Sequence, residues 1–252
     1  MTGFSQNTVL DFLKPRVNRV GFAPVSRFSQ APDEHHPQYA LDNAQTVIVF
    51  GMAVPRGILH SANRSLYALH RSYHSVYMLI DEISLSLANF MEGKGGALAV
   101  PAPSYAPMVF HDMEPWGVLS LKHAAVQAGL GHFGKNQLVH NKDFGTMLRF
   151  GAVVTTAQLA GDPLEELDPC PKGCDLCAKA CPSQAILEDG FRKMNCLGHT
   201  IKHAIYPLAL NTPEGIRNIE RVINTAGHNY WITCHECLSV CPGNARSKKV
   251  RG

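Results

Sequence analysis

Eight cysteines, all confined to the stretch from Cys170 to Cys241 of a 252-residue chain, constrain this fold more than any other feature. The first group reads CPKGCDLCAKACP and supplies Cys170, Cys174, Cys177 and Cys181, with Pro182 next. The second reads CHECLSVCP and supplies Cys234, Cys237 and Cys241, with Pro242 next; Cys196 stands between the groups. Three thiols in a short loop can wrap one face of a cubane cluster, while the cysteine before proline, where the chain changes direction, reaches a second cluster. The pattern predicts two 4Fe-4S clusters: one on Cys170, Cys174, Cys177 and Cys241, the other on Cys181, Cys196, Cys234 and Cys237. Paired C-x-x-C knuckles also suit tetrahedral zinc. The proline that closes each group favours clusters, and a first gap one residue longer than in the bacterial ferredoxin run leaves the ligand count unchanged.

The residues before Cys170 contain no cysteine and read as alternating strand and helix, which predicts two domains, 1–165 and 166–252. VNRVGFAPV, TVIVFGMAV and MLRFGAVVTT have the β-branched, apolar character of buried strands. From Leu66 to Phe90 apolar residues recur at helical spacing, and GKGG then ends the run. Between the cysteine groups, Thr212 as N-cap, Pro213 at the first helical position and Gly227 as terminator predict an inserted helix. A net charge of +3 with 17% charged residues gives no general field for nucleic acid or membrane. Neither a secretory leader nor a membrane-length apolar run is read, so a cytoplasmic setting is expected. Thiols stay reduced there, which again makes the cysteines ligands rather than disulfides.

Gly129, Gly131, Gly134 and Lys135 give a G-x-G-x-x-G-K turn that invites a phosphate-binding reading. The context opposes it. Leu121, Ala124, Ala125 and Ala128 carry a helix into the glycines, whereas a dinucleotide fingerprint needs a helix to start there. A helix C-terminus presents carbonyls, which repel phosphate. Gly129 is expected as a left-handed cap, and tight packing is the plain role of the turn.

The order VGFAPVSRF, HHPQYALDNAQTVIVFG, YHSVY, AGLGHFGKNQLVHNKDFGTMLRFGAVVTT and then the cysteine groups resembles the epoxyqueuosine reductase and reductive dehalogenase superfamily over nearly the whole chain. The resemblance implies an α+β protein, with a nitroreductase-like α/β corrinoid-binding domain followed by an elaborated bacterial ferredoxin-like domain. It implies a cobalamin-type corrinoid as a third cofactor. Carried over position by position, the corrinoid would lie against Tyr73, His74, Gly131, Lys135, Asn136, Thr146, Leu148, Leu197 and His235. The turn glycines would then let backbone approach the macrocycle.

The same resemblance implies an oxidoreductase that passes low-potential electrons from two clusters to the corrinoid. Its donor would be a ferredoxin or flavodoxin, and its target a small molecule or a corrinoid protein. An alternative is an electron carrier that reactivates the corrinoid of a partner such as a methyltransferase. A further one is tRNA epoxyqueuosine reduction. Epoxyqueuosine reductases place a proton-donating acid in a D-[ST]-A-P-V-L-E-R segment, at a position that is Pro115 here. Asp112 and Glu114 are the substitute candidates. With that acid displaced and no helical-repeat extension read after the clusters, a short member is expected, and tRNA ranks below the other targets.

Overall fold

The computed structural model describes residues 4–60, 66–105, 108–112, 114–166, 170–202, 231–232 and 234–246. In chain order the elements begin with α1 (Gln6–Leu13), β1 (Arg19–Pro24), α2 (Pro37–Ala40), β2 (Thr46–Ala53) and α3 (Leu66–Gly95). There follow β3 (Ala99–Ala102), β4 (Met108–His111), β5 (Glu114–Gly117), α4 (Leu121–Gln127), β6 (His132–Phe133), β7 (Val139–His140) and β8 (Leu148–Thr155). The cysteine-bearing segment adds α5 (Leu176–Ala180), α6 (Lys193–Thr200), β9 (Ile201–Lys202), β10 (Trp231–Ile232), α7 (Glu236–Ser239) and α8 (Pro242–Arg246). The helix expected over Thr212 to Gly227 lies outside the described residues.

The chain is a mixture of helix and strand built on one antiparallel sheet of order β1-β2-β8-β3. Its central strands are apolar on both faces because both faces are covered. Ile48 and Phe50 of β2 turn toward α1 and α3, where Leu13, Leu69, Ile80, Leu87 and Met91 are buried with them. Val47 and Val49 turn the other way, onto Ala124, Ala125 and Ala128 at α4. Burial of each large aliphatic side chain contributes about 1.5–3 kcal/mol, so this double packing is what makes β2 a continuous apolar run.

The three strands read from composition are β1, β2 and β8, and the long helix α3 begins at the expected Leu66 and runs on through GKG. No helix among the described residues is long and apolar enough to cross a membrane. The cysteine-bearing segment is fastened to the sheet: Leu238 of α7 joins the core under α3, and Asn244 of α8 bonds to Thr146 just before β8.

Candidate functional site

Helix α4 ends in a tight cap that leads into the site. Gly129 N–H donates to the Val126 carbonyl at 3.0 Å and Leu130 N–H to the Ala125 carbonyl at 2.9 Å, with Gly129 at φ +70°. This is the Schellman arrangement, in which a left-handed residue satisfies the last carbonyls. Beyond it the expectation changes. A side chain at Gly129 would meet the Pro163 carbonyl oxygen at 2.2 Å, and one at Gly131 the His140 carbonyl oxygen at 2.1 Å. The glycines make room for this chain's own backbone. The packing role fits the geometry, and the expected opening toward a macrocycle at Gly131 does not.

Cys170, Cys174, Cys177 and Cys241 line one small pocket, together with Lys135, Asn136, His140, Pro171 and Pro242. A turn in which Cys174 N–H donates to the Pro171 carbonyl at 2.9 Å starts the wrap, and α5 carries Cys177. Pro242 opens α8 at once after Cys241; its ring suits a first helical position and fixes how the thiol leaves the chain. Cys181 follows α5, and its sulfur accepts the Ala185 N–H at 3.3 Å.

The remaining thiols form a second electrostatic neighbourhood. Burial, then Cys196, Cys234, Cys177 and Cys181, push the Cys237 thiol up to about 12. Burial also raises Cys196 and Cys234, and each feels Cys181. In the first set burial and then Cys170 raise Cys177, and burial raises Cys241. Thiols that hinder one another's ionisation need a cationic centre to become thiolates.

The donor chemistry fits a metal-sulfur cluster. Both sets are all-sulfur, the choice of a soft centre, and no described residue lining the first cavity is a carboxylate. Among the described residues no three His, Cys, Asp or Glu side chains close upon a single metal ion. Zinc demands sulfurs about 2.3 Å from one point. Four thiols standing around a cavity match a cubane better.

The residues expected to hold a corrinoid divide between several places. Lys135 and Asn136 line the first cysteine cavity, with Asn136 buried. Thr146 is buried and tied to Asn244, its backbone N–H donating to Asn244 Oδ1 at 2.7 Å and its hydroxyl accepting from Nδ2 at 2.8 Å. Leu148 is buried in the core on the α4 side of the sheet. Those four side chains therefore hold the fold or face the cysteines. Tyr73 is buried on α3, with the Arg149 guanidinium 4.3 Å above its ring and donating to its hydroxyl. His74 lies one turn from His70, with ring centroids 4.4 Å apart. Leu197 is half-buried on α6, and buried His235 shares a 2.6 Å hydrogen bond with the Ser239 hydroxyl.

Neither candidate acid is an unengaged group in a pocket. Asp112 is exposed in the turn between β4 and β5 at φ +48°, a conformation that short acidic side chains tolerate in hairpins. Glu114 is bound by Lys193, whose Nζ lies 2.9 Å from Oε2, donates to the Pro115 carbonyl at 3.3 Å and sits 4.4 Å from the Trp116 ring centroid. Lys193 opens α6, the helix that carries Cys196.

The Lys122 side chain is open to water, yet burial lowers its amine's pKa, followed by the Lys193 charge, with Cys196 opposing. Its Nζ donates to the Gln137 carbonyl at 2.9 Å and sits 6.0 Å from the Phe133 ring centroid. Burial opposes the Arg149 charge, but Tyr73 and Tyr77 and then Cys237 hold its pKa above the ordinary value. Burial raises the Tyr77 phenol, with Arg149 opposing. Lys122, Arg149, Lys193 and Asn244 escape a motif-based reading because each is an isolated residue whose partners are distant in sequence.

No family model matches the chain. It is 27% identical over 237 residues to an epoxyqueuosine reductase of Gloeobacter violaceus, covering 91% of this chain and 66% of that protein. Among solved structures, an epoxyqueuosine reductase bound to an epoxyqueuosine-modified tRNA-Tyr stem loop superposes with a TM-score of 0.64 at 17% identity, over 97% of this chain and 66% of that one. A reductive dehalogenase whose structure suggests a mechanism for B12-dependent dehalogenation gives 0.58 at 14% identity, over 91% of this chain and 34% of that one. The chain thus spans roughly half to two thirds of the length of the first curated relatives it matches. The chain is therefore similar in sequence to epoxyqueuosine reductases, and it shares its fold with them and with reductive dehalogenases.

Proposed function

We propose that this chain is a corrinoid-dependent iron-sulfur reductase, with residues 1–165 as the corrinoid-binding part and 166–252 as the ferredoxin-like part. The observation that supports the reading is the gathering of Cys170, Cys174, Cys177 and Cys241 around one pocket, four thiols where one cluster needs four. Cys170, Cys174, Cys177 and Cys241 would hold one 4Fe-4S cluster, and Cys181, Cys196, Cys234 and Cys237 the other. The corrinoid would lie near Tyr73, His74, Leu197 and His235, with Arg149 fixing the Tyr73 phenol. When bound, a corrinoid supplies a low-valent cobalt that acts as a strong nucleophile or reductant.

The chain's own residues do the rest. The thiols are half-buried, with Cys241 buried, which limits water at the clusters and favours low potentials. Arg149 donates to the Tyr73 oxygen and so orients the phenol. That phenol is one group able to supply a proton. Electrons would come from a ferredoxin or flavodoxin in the cytoplasm, and the substrate would be a small molecule. The names of the relatives favour a second reading, in which the target is the epoxyqueuosine of a tRNA.

Anaerobic loading of the full chain with iron, sulfide and cobalamin tests the proposal. About eight iron and one cobalt per chain, with an altered cob(II)alamin resonance on electron paramagnetic resonance (EPR), is the expected result. Iron without retained cobalt would move the assignment to an electron carrier acting on a partner's corrinoid. A chain that takes up zinc in place of clusters would sink it. Salt-sensitive binding of a modified tRNA stem loop, with turnover, would decide for the second reading.

A further inference from the structure

Asn136 is 5% exposed and stands on the wall of the cavity ringed by Cys170, Cys174, Cys177 and Cys241. Its two amide atoms have opposite fates. Oδ1 accepts the Leu138 backbone N–H at 3.2 Å and faces His140 Nε2 at 3.4 Å. Nδ2 is buried and has no partner. The assignment of the two atoms follows from chemistry, since the Leu138 N–H can only donate and so requires the oxygen on its side. Burying an N–H₂ group without an acceptor is costly, and proteins keep such groups where something later accepts from them.

We infer that Asn136 donates its side-chain N–H to sulfur of the cluster held by these four cysteines and thereby raises that cluster's reduction potential. The inference rests on the cluster reading above. One-electron reduction adds negative charge to the sulfurs, so a fixed donor stabilises the reduced form more than the oxidised one; hydrogen bonds to sulfur are among the determinants of cluster potential. The turn holds Asn136 in place for this. Gly134 N–H donates to the Leu138 carbonyl and Gln137 N–H to the Gly134 carbonyl, each at 2.9 Å. The neighbouring His140, its pKa lowered by burial, brings a neutral ring to the same wall.

The test uses the full chain loaded anaerobically, with asparagine isotopically labelled at the side-chain nitrogen, and its Asn136→Asp variant. Aspartate keeps the oxygen that accepts from Leu138 and replaces the donor with a second oxygen that can carry charge, which itself lowers the midpoint, so the nitrogen coupling is the deciding readout. In the wild type, pulsed EPR of the reduced protein shows a weak coupling between one cluster and the labelled nitrogen. In the variant, iron stays at about eight per chain and the coupling is gone. One midpoint falls by a tenfold change in the reduced-to-oxidised ratio, about 59 mV for a one-electron couple, while the other stays put. Should the variant lose iron, Asn136→Ser, which retains a shorter donor, gives a smaller fall in the same midpoint. Full iron with no coupling in the wild type, or with both midpoints unmoved in the variant, overturns the inference. Absence of clusters from the wild type overturns the cluster reading, and the inference with it.

Discussion

Gly131 and Asn244 show how single residues set this site without touching its chemistry. At Gly131 the backbone takes φ +145° and passes so close to the His140 carbonyl that no side chain fits. Gly131→Ala therefore combines strain of about 1–3 kcal/mol with a backbone clash, and a fall of several degrees in melting temperature on calorimetry is expected. An unchanged melting curve would show that the turn is looser than its geometry. Asn244 is buried, and its amide bonds both the Thr146 side chain and the Leu238 carbonyl at 2.8 Å. Asn244→Ala leaves those buried groups unpaired at a cost of about 1–3 kcal/mol. Denaturant unfolding of the double variant with Thr146→Val should give less than the sum of the two single losses, because the partners share one interaction. Nothing in the sequence marks Asn244, which follows Cys241 by three residues but belongs to no spacing pattern; only the folded chain brings it to Thr146.

Elements were legible where periodicity and a physical stop coincide. Helix α3 has an apolar stripe and a glycine-rich end, and α4 has its alanine face and Gly129, so both follow from local rules. Strands β2 and β8 stand out because burial on both faces demands unbroken apolar runs. The β4–β5 hairpin carries no such signal: its residues are half-buried and include Pro115, and its position depends on Lys193 reaching it from α6. That reach also shapes α4. Burial first, then the Lys122 and Lys193 charges, hold His123 below its ordinary pKa. The unfolded chain therefore takes up this proton at higher pH than the folded one. The resulting stability is present above the ordinary value of about 6.5 and is lost as pH falls through it toward the lowered folded value. His123→Gln should flatten the slope of unfolding free energy against pH in that window. The change is modest because the ring is exposed to water, and an identical slope would remove His123 from the account.

At the scale of the molecule, the cysteine-bearing segment is joined to the rest of the fold by contacts that include Asn244 to Thr146, Leu238 to the core under α3, and Lys193 to the hairpin. The two thiol sets share α5 and the run from α7 into α8, but each also has a support of its own. The first is framed by the loop before α5 and by the turn after α4, the second by α6 and the residues around α7. Loss of one set should spare the other. Cys174→Ser should remove about four iron and one of two reduced-cluster signals, and Cys196→Ser should remove the complementary four. Lys193→Met refines this contrast. Its ion pair with Glu114 is partly exposed and contributes about 0.2–1 kcal/mol at most, so global unfolding should barely move. But Lys193 also holds the start of α6 against Pro115 and Trp116, so its loss frees the helix that carries Cys196. Chelator-driven iron release should then become biphasic, with a faster phase for the cluster that Cys196→Ser removes and an unchanged rate for the other. If both clusters release iron faster together, the contacts tie the whole segment down and the sets are not independent; if neither changes, the hairpin does not restrain α6.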